Sequence, residues 1–271
     1  MKIFKNKEQL RREIGNKKSI SFIPTMGGLH KGHISLIKTA KKYTNETLVS
    51  IYVNPKQFNK VGDFKKYPRN LSKDLKMLKK LKVNYLYLPT YKDLFKFKPS
   101  QRIYLHKFSK ILCGKYRKYH FRGVLDVVNR FLEIIRPKYL FLGLKDFQQL
   151  TLIKKHILKN KIHTKIISCK TVRKTNGVAF SSRNINLNKN QMKIAKNVYN
   201  YLIRIKKKTK KNFKLFNSLL FKKDLIKLGI KKIDYLEIIN LKSLSRPKKF
   251  KESFNIFIAY YLNKVRLIDN I

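Results

Sequence analysis

Short apolar, β-branched runs alternate with stretches of helical period along the first two thirds of the chain. The runs at 19–24, 47–53, 83–88, 102–106, 139–142 and 162–168 have the length and residue types of buried strands. Between them, Ile34, Leu36, Ile37 and Ala40 follow a helical spacing, as do Leu71, Leu75, Leu78 and Leu81. Val124, Val127, Val128, Phe131, Leu132 and Ile135 form one apolar helical face that stops before Pro137. Strand–helix alternation predicts an α/β fold: a Rossmann-like, doubly wound parallel sheet with helices on both faces.

The texture changes near residue 187. A long Lys-rich helix is expected over 188–211, then short helices and strands at 234–239 and 254–261. The expected division is a large α/β domain over 1–186 and a smaller C-terminal α+β lid domain over 187–271. The chain has no internal repeat.

Composition adds little to this picture, and charge nearly misleads. Lys and Arg number 66 against 14 acids, a formal charge of +52. Such a charge suggests nucleic acid. Against this, Lys greatly outnumbers Arg, the residue suited to bidentate phosphate and base contacts, and the lysines run from end to end. Asn, Ile, Tyr and Phe are also abundant and Trp is absent, as drift toward A- and T-rich codons would produce. The charge is therefore read as a solvated surface, with no specific nucleic-acid partner. The run 206–211 is likewise read as a solvated helix end. No apolar run reaches the ~20 residues of a membrane span, and the first residues lack the apolar core of a signal. A cytoplasmic location follows as the expectation. Cys113 and Cys169 stand far apart, outside any metal-ligand spacing, and are expected to be buried thiols.

Candidate chemistry gathers where strands end. The first run leads into Met26-Gly27-Gly28-Leu29-His30-Lys31-Gly32-His33. Two glycines allow a tight turn, and a helix beginning near Lys31 would present N–H groups and partial positive charge to phosphate. His30 and His33, three apart, share a helix face and can donate to transition-state charge. After the second run come Asn54 and Gln57, neutral amides suited to hydroxyls and carboxylates, or else to pinning a loop. Gly143-Leu144-Lys145-Asp146 marks another strand end, with Lys145 placed for phosphate and Gln149 one turn further on. Phe180-Ser181-Ser182-Arg183 offers two hydroxyls and a guanidinium in a loop, a set suited to a triphosphate.

Together these motifs resemble the pantothenate synthetase (pantoate–β-alanine ligase) family over nearly the whole length. Tyr67-Pro68-Arg69, His120-Phe121-Arg122-Gly123-Val124 and Arg266-Leu267-Ile268-Asp269-Asn270 look like further family signatures. His-x-Gly-His and Ser-Ser-Arg are shared more loosely with nucleotidyltransferases and class I tRNA synthetases. The resemblance implies condensation of pantoate with β-alanine through a pantoyl adenylate, with ATP as co-substrate and Mg²⁺ as cofactor. It implies ATP contacts at Met26 to His33, Gly143 to Asp146, Val172 and Phe180 to Arg183. His33, with His30 and Lys145, would be catalytic. Gln57 and Gln149 would bind pantoate, with Gln57 also near β-alanine, and the enzyme would be a homodimer. The chain departs from the family pattern at Leu144 (usually Glu), Asn176 (usually Asp), Lys118-Tyr119 (usually Pro-Gly) and Lys73 (often an acid). These departures leave ATP phosphates and water as the expected ligands of Mg²⁺. The alternatives are a superfamily member acting on another small acid, a basic nucleic-acid module and an inactive homologue.

Overall fold

In the computed structural model, all residues except 18, 60 and 249–251 are described; the side chain of residue 211 also lies outside the description. Two compact units are present, one of Met1–Lys110 with Arg117–Val172, the other of Ile111–Tyr116 with Arg173–Ile271.

The first unit begins with β1 (Lys2–Phe4), α1 (Lys7–Ile14), β2 (Ile20–Thr25), α2 (Lys31–Ala40) and β3 (Glu46–Ile51). Then come α3 (Val61–Lys65), α4 (Leu71–Lys80), β4 (Tyr85–Tyr87) and α5 (Tyr91–Phe95). The short α6 (Cys113–Tyr116) belongs to the second unit. The first resumes with α7 (His120–Ile135), β5 (Tyr139–Gly143), α8 (Phe147–Lys159) and β6 (Lys165–Cys169). The strands form one parallel sheet in the order β1-β4-β3-β2-β5-β6.

Successive side chains of a strand point to opposite faces, and the two cores follow that rule. Phe22, Leu48, Tyr87 and Leu140 pack with Leu10 of α1 and with Val124, Val128 and Phe131 of α7. Their neighbours Ile23, Val49, Leu86 and Phe141 pack on the other face with Ile37 of α2 and Leu78 of α4. Helices on both faces make the sheet doubly wound, as the alternation predicted. From β2 the chain works outward through β3 and β4, then returns to the opposite side of β2 as β5. That reversal opens a crevice beyond the carboxyl ends of β2 and β5, where such sheets bind ligands.

One predicted strand does not form. Segment 102–106 has no sheet partner, because side chains satisfy its backbone instead. Asn129 donates to the carbonyl of Gln101 (2.9 Å) and Asn160 to that of Arg102 (3.2 Å), while His156 Nδ1 accepts from the N–H of Tyr104 (3.1 Å). Conversely β1, three residues at the sheet edge, was too short to announce itself by alternation.

The second unit contains α9 (Lys189–Lys211), α10 (Ser218–Lys227) and three antiparallel strands, β7 (Lys232–Asn240), β8 (Phe254–Leu262) and β9 (Val265–Asn270). Asn188 caps α9, accepting from the N–H of Gln191 at 2.8 Å while the Gln191 side chain returns a bond to the N–H of Asn188. Val198, Leu202 and Ile205 of α9 pack on Leu236, Ile256 and Ile258. The predicted pair of strands is present. A third, β9, follows a tight hairpin at Asn263-Lys264, where Asn263 takes a left-handed φ of 51°. Lys206 is not part of a solvated patch: its ammonium donates to Asn255 (2.9 Å), and burial lowers its pKa. Both cysteines are buried and neither is in a disulfide; Cys113 Sγ stands 3.0 Å from the Tyr235 hydroxyl oxygen. Among the described residues, no helix is long and apolar enough to cross a membrane.

Candidate active site

Beyond the end of β2, Gly27 (φ 74°) and Gly28 (φ 60°) lie in the left-handed region, which a side chain would strain. A Cβ on Gly27 would also stand 3.0 Å from a carboxylate oxygen of Asp74. The backbone donors of this turn point inward. Gly27 N–H bonds to Thr25 Oγ1 (3.2 Å), and Gly28 and Leu29 N–H each bond to an Asp74 carboxylate oxygen at 2.8 Å. Asp74 is only 3% exposed, on the inward face of α4 one turn before Leu78.

The histidines close the start of α2. His30 is its N-cap, with Nδ1 accepting from the N–H of Gly32 at 3.1 Å. His33 Nδ1 accepts from the N–H of His30 at 3.3 Å. A ring nitrogen that accepts carries no proton, so in both rings the proton sits on Nε2. The rings lie 4.1 Å apart between centroids. Burial, then the Lys145 charge, lowers the pKa of His30 to about 4. Burial, then His30 and Lys145, holds His33 well below its ordinary value. Both are therefore neutral Nε2–H donors at neutral pH. The helix N-terminus was expected to offer amides to phosphate. Asp74 and the imidazoles take the amides of Gly28, Leu29, His30 and Gly32, and the side chains of His30, His33 and Lys145 stand beside this helix start as further donors.

Lys145 reaches the same region from the carboxyl end of β5, close enough for its charge to act on both rings. Its ammonium stands 3.8 Å from an Asp146 oxygen. Gly143, Leu144 and Asp146 complete this strand-end turn, and Val172 follows β6.

After β3, the two amides considered together have different jobs. Asn54 is fully buried and pins the loop, donating to the carbonyl of Gly123 (3.0 Å) and accepting from the N–H of Lys56 (3.2 Å). Gln57 is held by its backbone: its carbonyl accepts from His120 Nδ1 (2.8 Å) and from Arg117 (3.0 Å). Its side-chain amide has no hydrogen-bond partner among the described residues, nor does that of half-buried Gln149. Gln148, by contrast, is buried and donates to the carbonyl of Phe108 at 2.7 Å.

In the second unit the stretch after residue 172 is held by local bonds. Arg173 bridges to Ala179, and its guanidinium pairs with Asp269 at 2.6 and 2.9 Å. Asn176 accepts from the N–H of Val178 (3.2 Å), within the turn between them. Phe180 leads to Ser181, whose hydroxyl accepts from the N–H of Arg183 (3.3 Å) at the start of a 3₁₀ turn over Ser182–Asn186.

Asp74 and Arg117 are the residues of these networks that sequence reasoning did not place. An Asp in helical register with Leu78 was the available signal, since an ion on an apolar face needs buried partners.

A doubly wound sheet with two neutral imidazoles and a lysine at the ends of adjacent strands across its reversal point defines a nucleotide-binding α/β enzyme. A family model described as Pantoate-beta-alanine ligase matches residues 2–271, and the chain belongs to that family. It is 36% identical to the pantothenate synthetase of Thermosipho africanus, over 100% of this chain and 99% of that one. It is 39% identical to the pantothenate synthetase of Endomicrobium trichonymphae, over 100% and 97%. The crystal structure of pantoate-beta-alanine ligase from Francisella tularensis, complexed with Beta-gamma ATP and Beta-alanine, superposes with a TM-score of 0.85 at 37% identity, covering 100% and 97%. That of pantothenate synthetase from Thermus thermophilus gives 0.89 at 27% identity, covering 100% and 99%. The chain is a ligase of pantothenate biosynthesis.

Proposed function

We propose that the turn carrying His30 and His33, with Lys145, binds ATP and drives its condensation chemistry. The carboxylate of pantoate attacks the α-phosphorus, the bond to the β-phosphate oxygen breaks, and diphosphate leaves. The amine of β-alanine then attacks the acyl carbon of pantoyl adenylate. An amide forms, AMP leaves with the bonding pair of the acyl–oxygen bond, and one proton leaves the nitrogen. The observation that carries this reading is the pair of stacked imidazoles, each fixed through Nδ1 as a neutral Nε2–H donor, under the field of Lys145. Charge that builds on phosphate oxygens is met by oriented donors and a nearby cation. With Nδ1 already bonded and their pKa values depressed, the rings serve as donors and not as proton carriers.

Met26 to His33, Gly143 to Asp146 and Val172 are assigned to ATP, and Phe180, Ser181, Ser182 and Arg183 of the second unit are proposed as further ATP contacts. Gln57 and Gln149 take pantoate, and Gln57 also lies by β-alanine; their unengaged amides support this. Among the described residues, no three His, Cys, Asp or Glu side chains gather as a metal site, and Asp74 is committed to amides. Mg²⁺ is proposed as the companion of ATP, held by its phosphates and water, as that ion is often bound. A homodimer and a cytoplasmic location are proposed on the family resemblance. The deciding experiment measures diphosphate and AMP release with pantoate and β-alanine supplied singly and together. Diphosphate release needing pantoate, and AMP release needing both, is expected. Turnover indifferent to pantoate would overturn the assignment.

A further inference from the structure

We propose that Asp74 is the positioning residue of the ATP-binding turn, acting through the backbone and not as a metal ligand. The claim rests on reading residues 26–33 as the ATP site and deepens it. Three features converge on this carboxylate. Its two oxygens each accept one amide, from Gly28 and Leu29, at 2.8 Å. Gly27 has no Cβ, and one would stand 3.0 Å from Asp74 Oδ2 and 3.1 Å from Ile51 Cγ2. Residues 27 and 28 both hold left-handed φ values, open to glycine without strain, in the turn that presents these amides. Asp74 is held in turn by α4, whose N-cap Asn70 accepts from the N–H of Lys73 at 2.9 Å.

The consequence reaches the histidines. Leu29 precedes the N-cap of α2, so the direction in which the chain enters that helix is set by the amides that Asp74 holds. His30 and His33 each take their ring orientation from backbone N–H groups of residues 30–32. Asp74 thus orients both imidazoles without touching the nucleotide. At 3% exposure and with an amide on each oxygen, the carboxylate is turned to the backbone and away from solvent.

Asp74→Asn tests this, because the new amide keeps one acceptor and turns an N–H₂ toward a backbone N–H. Hydrogen exchange of the Gly28 and Leu29 amides in the ligand-free protein is expected to accelerate at least about tenfold. The KM for ATP should rise and kcat for diphosphate release fall, with the KM for β-alanine and the Mg²⁺ concentration for half-maximal rate unchanged. Gly27→Ala, which crowds the same oxygen, should give the same signature, and it serves if Asp74→Asn does not fold. Unchanged exchange at Gly28 and Leu29, or recovery of the Asp74→Asn rate at raised Mg²⁺, overturns the proposal. The exchange measurement uses no substrate, so its failure is distinct from failure of the ATP assignment.

Discussion

An imidazole that accepts a backbone N–H at Nδ1 has only its Nε2 proton to offer a ligand. His30 and His33 are both in this state, and spacing could not have revealed it, because three-residue spacing says that rings share a face and nothing about tautomer. Removing one oriented donor from a developing negative charge typically costs about 3–4 kcal/mol of barrier. His33→Ala and Lys145→Ala are accordingly expected to slow single-turnover diphosphate release by about 10²–10³-fold. The circular dichroism spectrum should be retained. Near-normal release by either variant would remove that side chain from the adenylation step. Asn54 and Gln57 make the complementary point. Two amides three residues apart look alike in the sequence, yet one is spent on the carbonyl of Gly123 and the other leaves its side chain without a partner among the described residues.

At the scale of elements, α7 braces the turn that carries Gln57, the residue proposed for pantoate. Its first turn meets the 3₁₀ turn Pro55–Gln57 so closely that a Cβ on Gly123 would lie 2.3 Å from the carbonyl oxygen of Lys56. Gly123→Ala must push helix and turn apart, an overpacking cost of roughly 1–3 kcal/mol. It should lower the urea midpoint and raise the KM for pantoate more than that for ATP; an unchanged pantoate KM would separate this contact from substrate binding. Between α7 and α8 lies a second device, His156, fully buried and bonded to Asn129 at 3.0 Å. Burial lowers its pKa to about 4. The unfolded chain, with an ordinary imidazole near 6.5, therefore takes up a proton first as pH falls. The stability His156 confers is complete above pH 6.5 and declines as pH drops toward 4, by about 2 kcal/mol at pH 5. Urea unfolding at pH 7.5 and 5 should show that loss, and His156→Gln should flatten it by a similar amount.

At the scale of the whole molecule, 66 cationic side chains repel one another with only 14 acids to offset them. Self-repulsion of this kind weakens the compact state, and salt screens it over about 8 Å at physiological ionic strength. Tm should therefore rise between 0.02 and about 0.3 M NaCl. A Tm that falls with salt would mean that specific ion pairs outweigh repulsion. Two ion pairs within the second unit, Arg173 with Asp269 and Arg266 with Asp234, bind its last strand. That gives a structural reason for the C-terminal signature Arg266 to Asn270, which lies within β9.

Continuous apolar, β-branched runs were enough to identify five of the six strands in the parallel sheet, because a strand covered on both faces has few positions left for polar side chains. The glycine-to-histidine stretch was legible for a similar reason: left-handed turns demand glycine, and the histidine pair recurs at one spacing. Segment 102–106 was misjudged because its apolar pattern is compatible with a strand, while the side chains of Asn129, His156 and Asn160 that claim its backbone come from distant helices. Asp74 escaped for the same cause, being 46 residues from the Gly28 amide it holds. Residue types and local periods thus settled which chemistry the chain carries and roughly where it sits. Tertiary structure alone decided which groups are spent on the protein and which remain for a ligand, because a hydrogen bond between remote residues leaves no local trace.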